Sequence, residues 1–257
     1  MISKVTAKYA EFQDAEHKLD WLRQDWKWRL FRLRQRKQIP LNLAFDRRHN
    51  VETATEITLD KVGVSAADAS LGNGIYRCIT EEMFQKIAAS LKIDATDYTF
   101  LDIGSGKGKV LFLAADLPFR RIIGIEYPEG LHEAAVRNIV SYRSDRQRCH
   151  DIQSVHANAL QYPMPPGPLV VLVFNALAPE LMAEFLQVVD LGPASEPDRP
   201  VLVVYANLRT VRELTGNPFY GLKHLQVIDR DSRVIVSGNQ AGRLARDRSR
   251  NAAPSGR

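Results

Sequence analysis

Asp102, the glycines at 104, 106 and 108, and Glu126 are the side chains and turns best spaced to do chemistry in this 257-residue chain. They fall in one stretch, Tyr98 to Glu126, Y-T-F-L-D-I-G-S-G-K-G-K-V-L-F-L-A-A-D-L-P-F-R-R-I-I-G-I-E. Glycines let a backbone turn through positive φ and approach a ligand closely. A helix start behind them offers N–H groups with no partner in their own helix. An acid closing the next strand can accept both hydroxyls of a ribose. Such a loop often holds a dinucleotide, but here the glycines run G-x-G-x-G and position 109 is Lys. Asp102 stands directly ahead of the loop, where its carboxylate would repel a pyrophosphate and attract a cationic amine.

S-adenosylmethionine meets those demands, having an amine, a ribose and no phosphate. The elements needed to present it can be read around the loop. Tyr98–Ile103 is a buried strand, Val110–Ala115 an apolar helix, and Arg121–Ile125 a second strand, which together make a right-handed βαβ unit. Gly130–Arg143 reads as the next helix. Ile152–Ala157 is a third strand and Leu169–Phe174, L-V-V-L-V-F, a fourth. Its unbroken apolar run is that of a parallel strand covered on both faces. Pro179–Val189 is helical, Val201–Tyr205 a fifth strand, and Leu208–Thr215 a short helix. Leu222–Ile228 and Arg233–Ser237 form an antiparallel closing pair. In open α/β sheets ligands sit beyond the carboxyl ends of the strands. That edge receives Asn158 and Ala159 after the third strand, Asn175 after the fourth and Tyr205 at the end of the fifth.

D-I-G-S-G-K-G with an acid ending the following strand resembles the first two motifs of the class I, Rossmann-like S-adenosylmethionine-dependent methyltransferases. The likeness covers about residues 41–238. It implies an α/β fold: a seven-stranded methyltransferase sheet with helices on both faces, here with an N-terminal helical extension. It implies cofactor contacts from Asp102, Gly104, Ser105, Gly106, Gly108, Glu126, Asn158, Ala159 and Asn175. F-D-R-R-H-N-V-E-T-A-T-E-I, Phe45 to Ile57, is similar to a segment ahead of the core in a poorly characterised bacterial group of these enzymes. By that resemblance Asp46–Thr53 forms part of a lid and Tyr76 lies over the methionine end of the cofactor. Relatives often carry Asp where Asn158 stands, to bind the adenine amino group. N-A-L-A-P after the fourth strand keeps the Asn of an N-P-P-aromatic motif but not its prolines or aromatic. Tyr76, Asn175 and Tyr205 are the candidates for positioning an acceptor, and no residue presents itself as a catalytic base. Protein-lysine methyltransferases with D-x-G-S-G-x-G loops are similar here, so the acceptor is a protein side chain or a small molecule. Two other readings stay open: a non-catalytic S-adenosylmethionine-binding protein acting through its basic helix, and an NAD-dependent oxidoreductase.

The chain divides by this reading into a basic amphipathic helix (1–40), a connector and first core helix (41–97), the cofactor-binding core (98–238) and a basic tail expected to be disordered (239–257). Leu19, Leu22, Trp26, Leu30 and Leu33 make the apolar stripe of the first helix, which Pro40 is expected to end. The net charge of +5 is uneven. Residues 21–38 carry +6 and residues 242–257 carry +4, which leaves −5 for the rest. Nucleic acid could be drawn to the flanks, but the charge gives the core no such partner. Two cysteines and six scattered histidines show no metal spacing. With no apolar leader and no apolar run of membrane length, a cytoplasmic location is expected.

Overall fold

The computed structural model describes residues 38–58, 75–206, 219–231 and 233–252. The chain divides into two compact units, Met1–Ala44 and Phe45–Arg257, and the second holds every strand among the described residues. The stripe of the N-terminal helix and the helix expected at Leu208–Thr215 lie outside the described residues.

Residues 38–49 are helical (α1), with Pro40 inside the helix, so the stretch after Pro40 is not a plain connector. Its polar residues misled because they bond inward. Asp46 is buried, and its carboxylate accepts from the N–H of Thr53 and Ala54, 2.7 Å each, and from the Thr53 hydroxyl at 2.6 Å. Two short strands, β1 (Ile57–Thr58) and β2 (Ile75–Tyr76), then pair antiparallel. Helix α2 (Glu81–Leu91) starts at Thr80, whose side chain accepts from the Met83 N–H, with Glu81 and Glu82 in the first turn.

The core alternates β3 (Thr99–Ile103), α3 (Lys109–Ala115), β4 (Arg121–Glu126), α4 (Glu129–Ser141), β5 (Ile152–His156), β6 (Leu169–Phe174), α5 (Pro179–Leu191) and β7 (Val201–Ala206). It closes with β8 (Gln226–Arg230) and β9 (Val234–Gly238). The sheet has seven strands in the order β5-β4-β3-β6-β7-β9-β8. All neighbours are parallel except β9, which runs antiparallel to both β7 and β8. This is the Rossmann-like α/β sheet expected, with its closing antiparallel pair. Both faces of the sheet are covered. Val170, Leu172 and Phe174 of β6 pack in the apolar cluster that includes α2 and α3, whereas Leu169, Val171 and Val173 pack with α5. Every residue of β6 is therefore buried, which explains its unbroken apolar run.

The tail is not disordered through its length: Gln240–Ala252 is a helix, α6. Asn239 anchors its start, accepting from the Gly242 N–H at 2.9 Å and donating to the carbonyls of Ala194 (3.2 Å) and Arg199 (2.7 Å). Arg246, buried, donates to the carbonyls of Leu91 (3.0 Å) and Ser90 (2.8 Å) at the end of α2. An arginine there satisfies carbonyls that the last helical turn leaves without partners. The Arg-rich composition that suggested a solvated tail is in part a docking device.

Candidate active site

The carboxyl ends of β3, β4, β5 and β6 frame a cavity of about 310 Å³. Asp102 and Glu126 lie in its floor, Asn158 and Ala159 on one side, Asn175 on another, and Tyr76 over the glycine loop. The loop leaves β3 with Gly104, Gly106 and Gly108 at φ of 71°, 56° and 88°. All three are in the region that side chains rarely adopt. At two of them space is also spoken for. A Cβ on Gly104 would fall 2.4 Å from the Ala176 Cβ, and one on Gly106 would fall 2.2 Å from the Tyr76 ring. Gly108 starts α3 and does not line the cavity.

The loop is tied to the neighbouring strand. Gly104 and Ser105 donate to the Ile125 carbonyl at 2.9 and 3.1 Å, and the Gly106 N–H donates to the Glu126 carboxylate. Asp102 sits opposite Gly124 in the parallel register, where the missing Cβ makes room for the Ser105 side chain. Asp102 is buried, and its Oδ2 has no hydrogen-bond partner among the described residues; nor has the buried Ser105 Oγ. Burial, then the nearby Glu126, hold the Asp102 carboxyl well above the usual carboxylate range. Burial likewise pushes Glu126 up to about 7, against the opposing bond from Gly106. Two carboxyls buried in one cavity, one with an oxygen unsatisfied among the described residues, make a floor that gains by meeting a cation and hydroxyl donors.

Tyr76, on the side of the cavity over the loop, is backed by a hydrogen-bonded network that does not itself line the cavity. The Tyr76 hydroxyl donates to the Thr53 carbonyl at 2.9 Å. The Lys107 ammonium, buried, reaches both Glu52 oxygens at 2.8 and 2.9 Å and lies 5.6 Å from the Tyr76 ring centre. Asn138 on α4 completes it. Its amide donates to the carbonyls of Glu52 (3.0 Å) and Lys107 (2.9 Å), and its oxygen accepts from the Glu52 N–H (2.8 Å). Of these only Tyr76 lines the cavity; Asp46–Thr53, expected as part of a lid, does not, and neither do Lys107 and Asn138, which bond to the segment that holds Tyr76 and which the sequence reading does not single out. The one available signal was an Asn on an apolar helix face.

The remaining candidates fare differently. Asn158 lines the cavity, but its side-chain oxygen already accepts from the Leu160 N–H at 3.0 Å, and so shapes the loop that Ala159 belongs to. Asn175 lines the cavity at φ 53°, a strained value for a residue with a side chain, and its N–H donates to the Ala206 carbonyl at 3.0 Å. Tyr205 is not a cavity residue. It is buried in the cluster that packs against α5, on the same face of β7 as Val201 and Val203. Strand alternation turned it away from the edge where it was expected. Lys109 and Cys78 also line the cavity, and neither the spacing nor the setting of Cys78 in the sequence singles it out.

No family model and no curated protein matches this sequence. Solved structures do. One is an RNA methyltransferase from Salinibacter ruber in complex with S-adenosyl-L-homocysteine, with 15% identity over 63% of this chain and 91% of that one, and a TM-score of 0.44. Another is an S-adenosylmethionine-dependent methyltransferase from Thiobacillus denitrificans, also with S-adenosyl-L-homocysteine, at 21% identity, 49% of this chain and a TM-score of 0.36; this chain spans 48% of that protein's length. A third is magnesium protoporphyrin IX methyltransferase from Synechocystis with bound S-adenosylmethionine, at 13% identity, 62% of this chain, 79% of that one and a TM-score of 0.40.

Proposed function

We propose that this protein is an S-adenosylmethionine-dependent methyltransferase. The observation that carries the reading is the Asp102 oxygen, without a hydrogen-bond partner among the described residues and buried beside Glu126 in a glycine-rimmed cavity. A dinucleotide would bring a pyrophosphate to that carboxylate. S-adenosylmethionine brings an ammonium for Asp102 and ribose hydroxyls for Glu126. Asn158 and Ala159 would border the adenine, and Gly104 and Gly106 allow the main chain to approach. Ser105 supports the loop from beneath, and Gly108 gives α3 its start.

When bound, the cofactor supplies a methyl group already activated on a sulfonium. The chain's share of the work is to hold the cofactor, keep water out and align a nucleophile on the acceptor. Asn175 borders the cavity where the first and fourth strands of the core diverge, so its amide can orient an acceptor atom. Tyr76 closes the opposite side and is held by Thr53 rather than free to take a proton: burial keeps its hydroxyl well above the ordinary phenol range. The acceptor is a protein side chain or a small molecule that loses its proton to solvent.

Calorimetry with S-adenosylhomocysteine and with NAD tests the cofactor. The first binds and the second does not; binding of NAD alone would replace this reading with an oxidoreductase. Incubation with methyl-labelled cofactor and a cell lysate then tests catalysis. Transfer by the wild type but not by Asn175→Ala supports an enzyme. Binding with no labelled product would mark a non-catalytic cofactor-binding protein.

A further inference from the structure

Tyr76 lines the cavity, yet its hydroxyl donates to the carbonyl of Thr53, a fully buried residue that does not. The hydroxyl is committed outside the cavity, and the ring is what packs on the Gly106 Cα. The strand that carries it, β2, is two residues long and pairs with a β1 of the same length. A two-stranded pair of that size holds a side chain weakly on its own. The bond to Thr53 is therefore the main constraint on where the ring lies.

The Thr53 carbonyl is one end of a peptide unit whose other end is the Ala54 N–H. A trans peptide points the two in opposite directions. The Ala54 N–H donates to the Asp46 carboxylate at 2.7 Å, so Asp46 and Tyr76 grip the two ends of one peptide. Asp46 also accepts from the Thr53 N–H at 2.7 Å and the Thr53 hydroxyl at 2.6 Å. Donors on two consecutive residues keep that peptide from turning. Asp46 is buried, where bonds to a charged acceptor are strong, and a carboxylate at the N–H end polarises the peptide so that its carbonyl accepts better. Asp46 is itself anchored at the end of α1, where its carbonyl accepts from the Val51 N–H at 3.1 Å.

Building on the proposed cofactor, we infer that Asp46 is a positioning residue: through the Thr53–Ala54 peptide it holds the Tyr76 ring over the glycine loop, so that a ligand entering the cavity meets a ring already in place. Asp46 touches no ligand itself, because it does not line the cavity. Its effect is one of pre-organisation. A ligand that has to order a loose side chain loses about threefold to tenfold in affinity for doing so, and Asp46 removes that loss. The same relay explains why a buried carboxylate stands in a segment with no reacting group: it acts on Tyr76 from behind.

The test is a double-mutant cycle read by titration calorimetry with S-adenosylhomocysteine, on wild type, Asp46→Asn, Tyr76→Phe and the double variant. Asp46→Asn keeps the shape and turns an amide donor toward other donors. Tyr76→Phe keeps the ring and removes the tether. Each single variant is expected to bind about threefold to tenfold more weakly than wild type, and the double variant to match Tyr76→Phe within about twofold. Asp46→Asn is expected to lower the Tm in both backgrounds, so affinity is the readout that separates positioning from stability. An equal loss of affinity from Asp46→Asn with and without the Tyr76 hydroxyl overturns the inference. So does a folded Asp46→Asn protein that binds as wild type does. If Asp46→Asn does not fold, the cycle is run with Thr53→Val, which removes only the hydroxyl bond to Asp46. A loss of about threefold is then expected in the wild-type background and none beside Tyr76→Phe, and a loss in both overturns the inference. A wild type that does not bind S-adenosylhomocysteine overturns the cofactor assignment, and that result is read before any variant is compared.

Discussion

The floor of the cavity and the wall of side chains behind Tyr76 are built on opposite principles. The wall spends its polar groups on itself: Tyr76 on Thr53, Lys107 on Glu52, Asn138 on both segments at once. The floor leaves the Asp102 oxygen unsatisfied next to a second carboxyl. A satisfied buried network fixes shape, whereas an unsatisfied buried group costs stability until a ligand arrives. The contrast separates a scaffold from a recognition surface, and substitutions should sort accordingly: wall changes cost folding, floor changes cost binding.

Gly106 is where the two meet, since its N–H serves Glu126 and its Cα face carries Tyr76. Gly106→Val should therefore damage both properties. Positive φ alone costs a branched residue about 1–2 kcal/mol, and a Cβ 2.2 Å from the Tyr76 ring forces the wall to shift. The expected result is loss of detectable S-adenosylhomocysteine binding by calorimetry together with a lower Tm. Adding Tyr76→Ala should recover part of the Tm through removal of the clash. No recovery would mean that floor and wall are not coupled through this contact.

Asp102→Asn isolates the floor. An amide of the same shape replaces a carboxyl that burial already biases toward its neutral form. Stability of the ligand-free protein should stay within about 1 kcal/mol in urea titrations. Affinity for S-adenosylhomocysteine should fall by about 100-fold, as a charge-assisted bond is lost and a cation is left unpaired. A large loss of stability with binding intact would reverse the roles assigned to floor and wall. Asn138→Ala isolates the wall. It removes three hydrogen bonds and strands the Lys107 carbonyl, so about 3 kcal/mol of stability should be lost. Affinity, measured well below the Tm, should change only a few-fold.

The floor was legible in the sequence because it is local. Asp102, the glycines and Glu126 fall within one βαβ unit, and each has a backbone or charge reason to be where it is. The sheet was legible too: L-V-V-L-V-F can be satisfied only by cover on both faces. The wall was not, because Glu52, Lys107 and Asn138 meet only after folding, with separations of 55 and 86 residues. Tyr205 shows a different limit. Its position at a strand end was read correctly, but the face it presents depends on register, and one residue reverses it. Arg246 shows a third: the same arginine that composition assigns to solvent is buried as a helix cap.

The finest division between floor and wall is in their response to pH. Glu126 is raised to about 7 in the folded chain from an ordinary 4.5, and Asp102 is raised well above its own ordinary value. A carboxyl with a raised folded pKa gives stability that is full below its unfolded pKa and is lost as pH rises through the folded one. Ligand-free protein should therefore lose stability from Glu126 between about pH 4.5 and 7, and Asp102, shifted in the same direction, should add to the loss as pH rises. Binding runs the other way. The ammonium and the ribose hydroxyls call for ionised carboxylates, so the ligand expels protons and affinity should rise with pH across neutrality, by up to about tenfold per pH unit for each proton released. Calorimetry with S-adenosylhomocysteine in buffers of different ionisation enthalpy at pH 6.5 measures that release directly. Glu126→Gln should diminish it, and Asn138→Ala should leave it unchanged. Equal heats in every buffer would show that the floor carboxyls are already ionised before the ligand arrives.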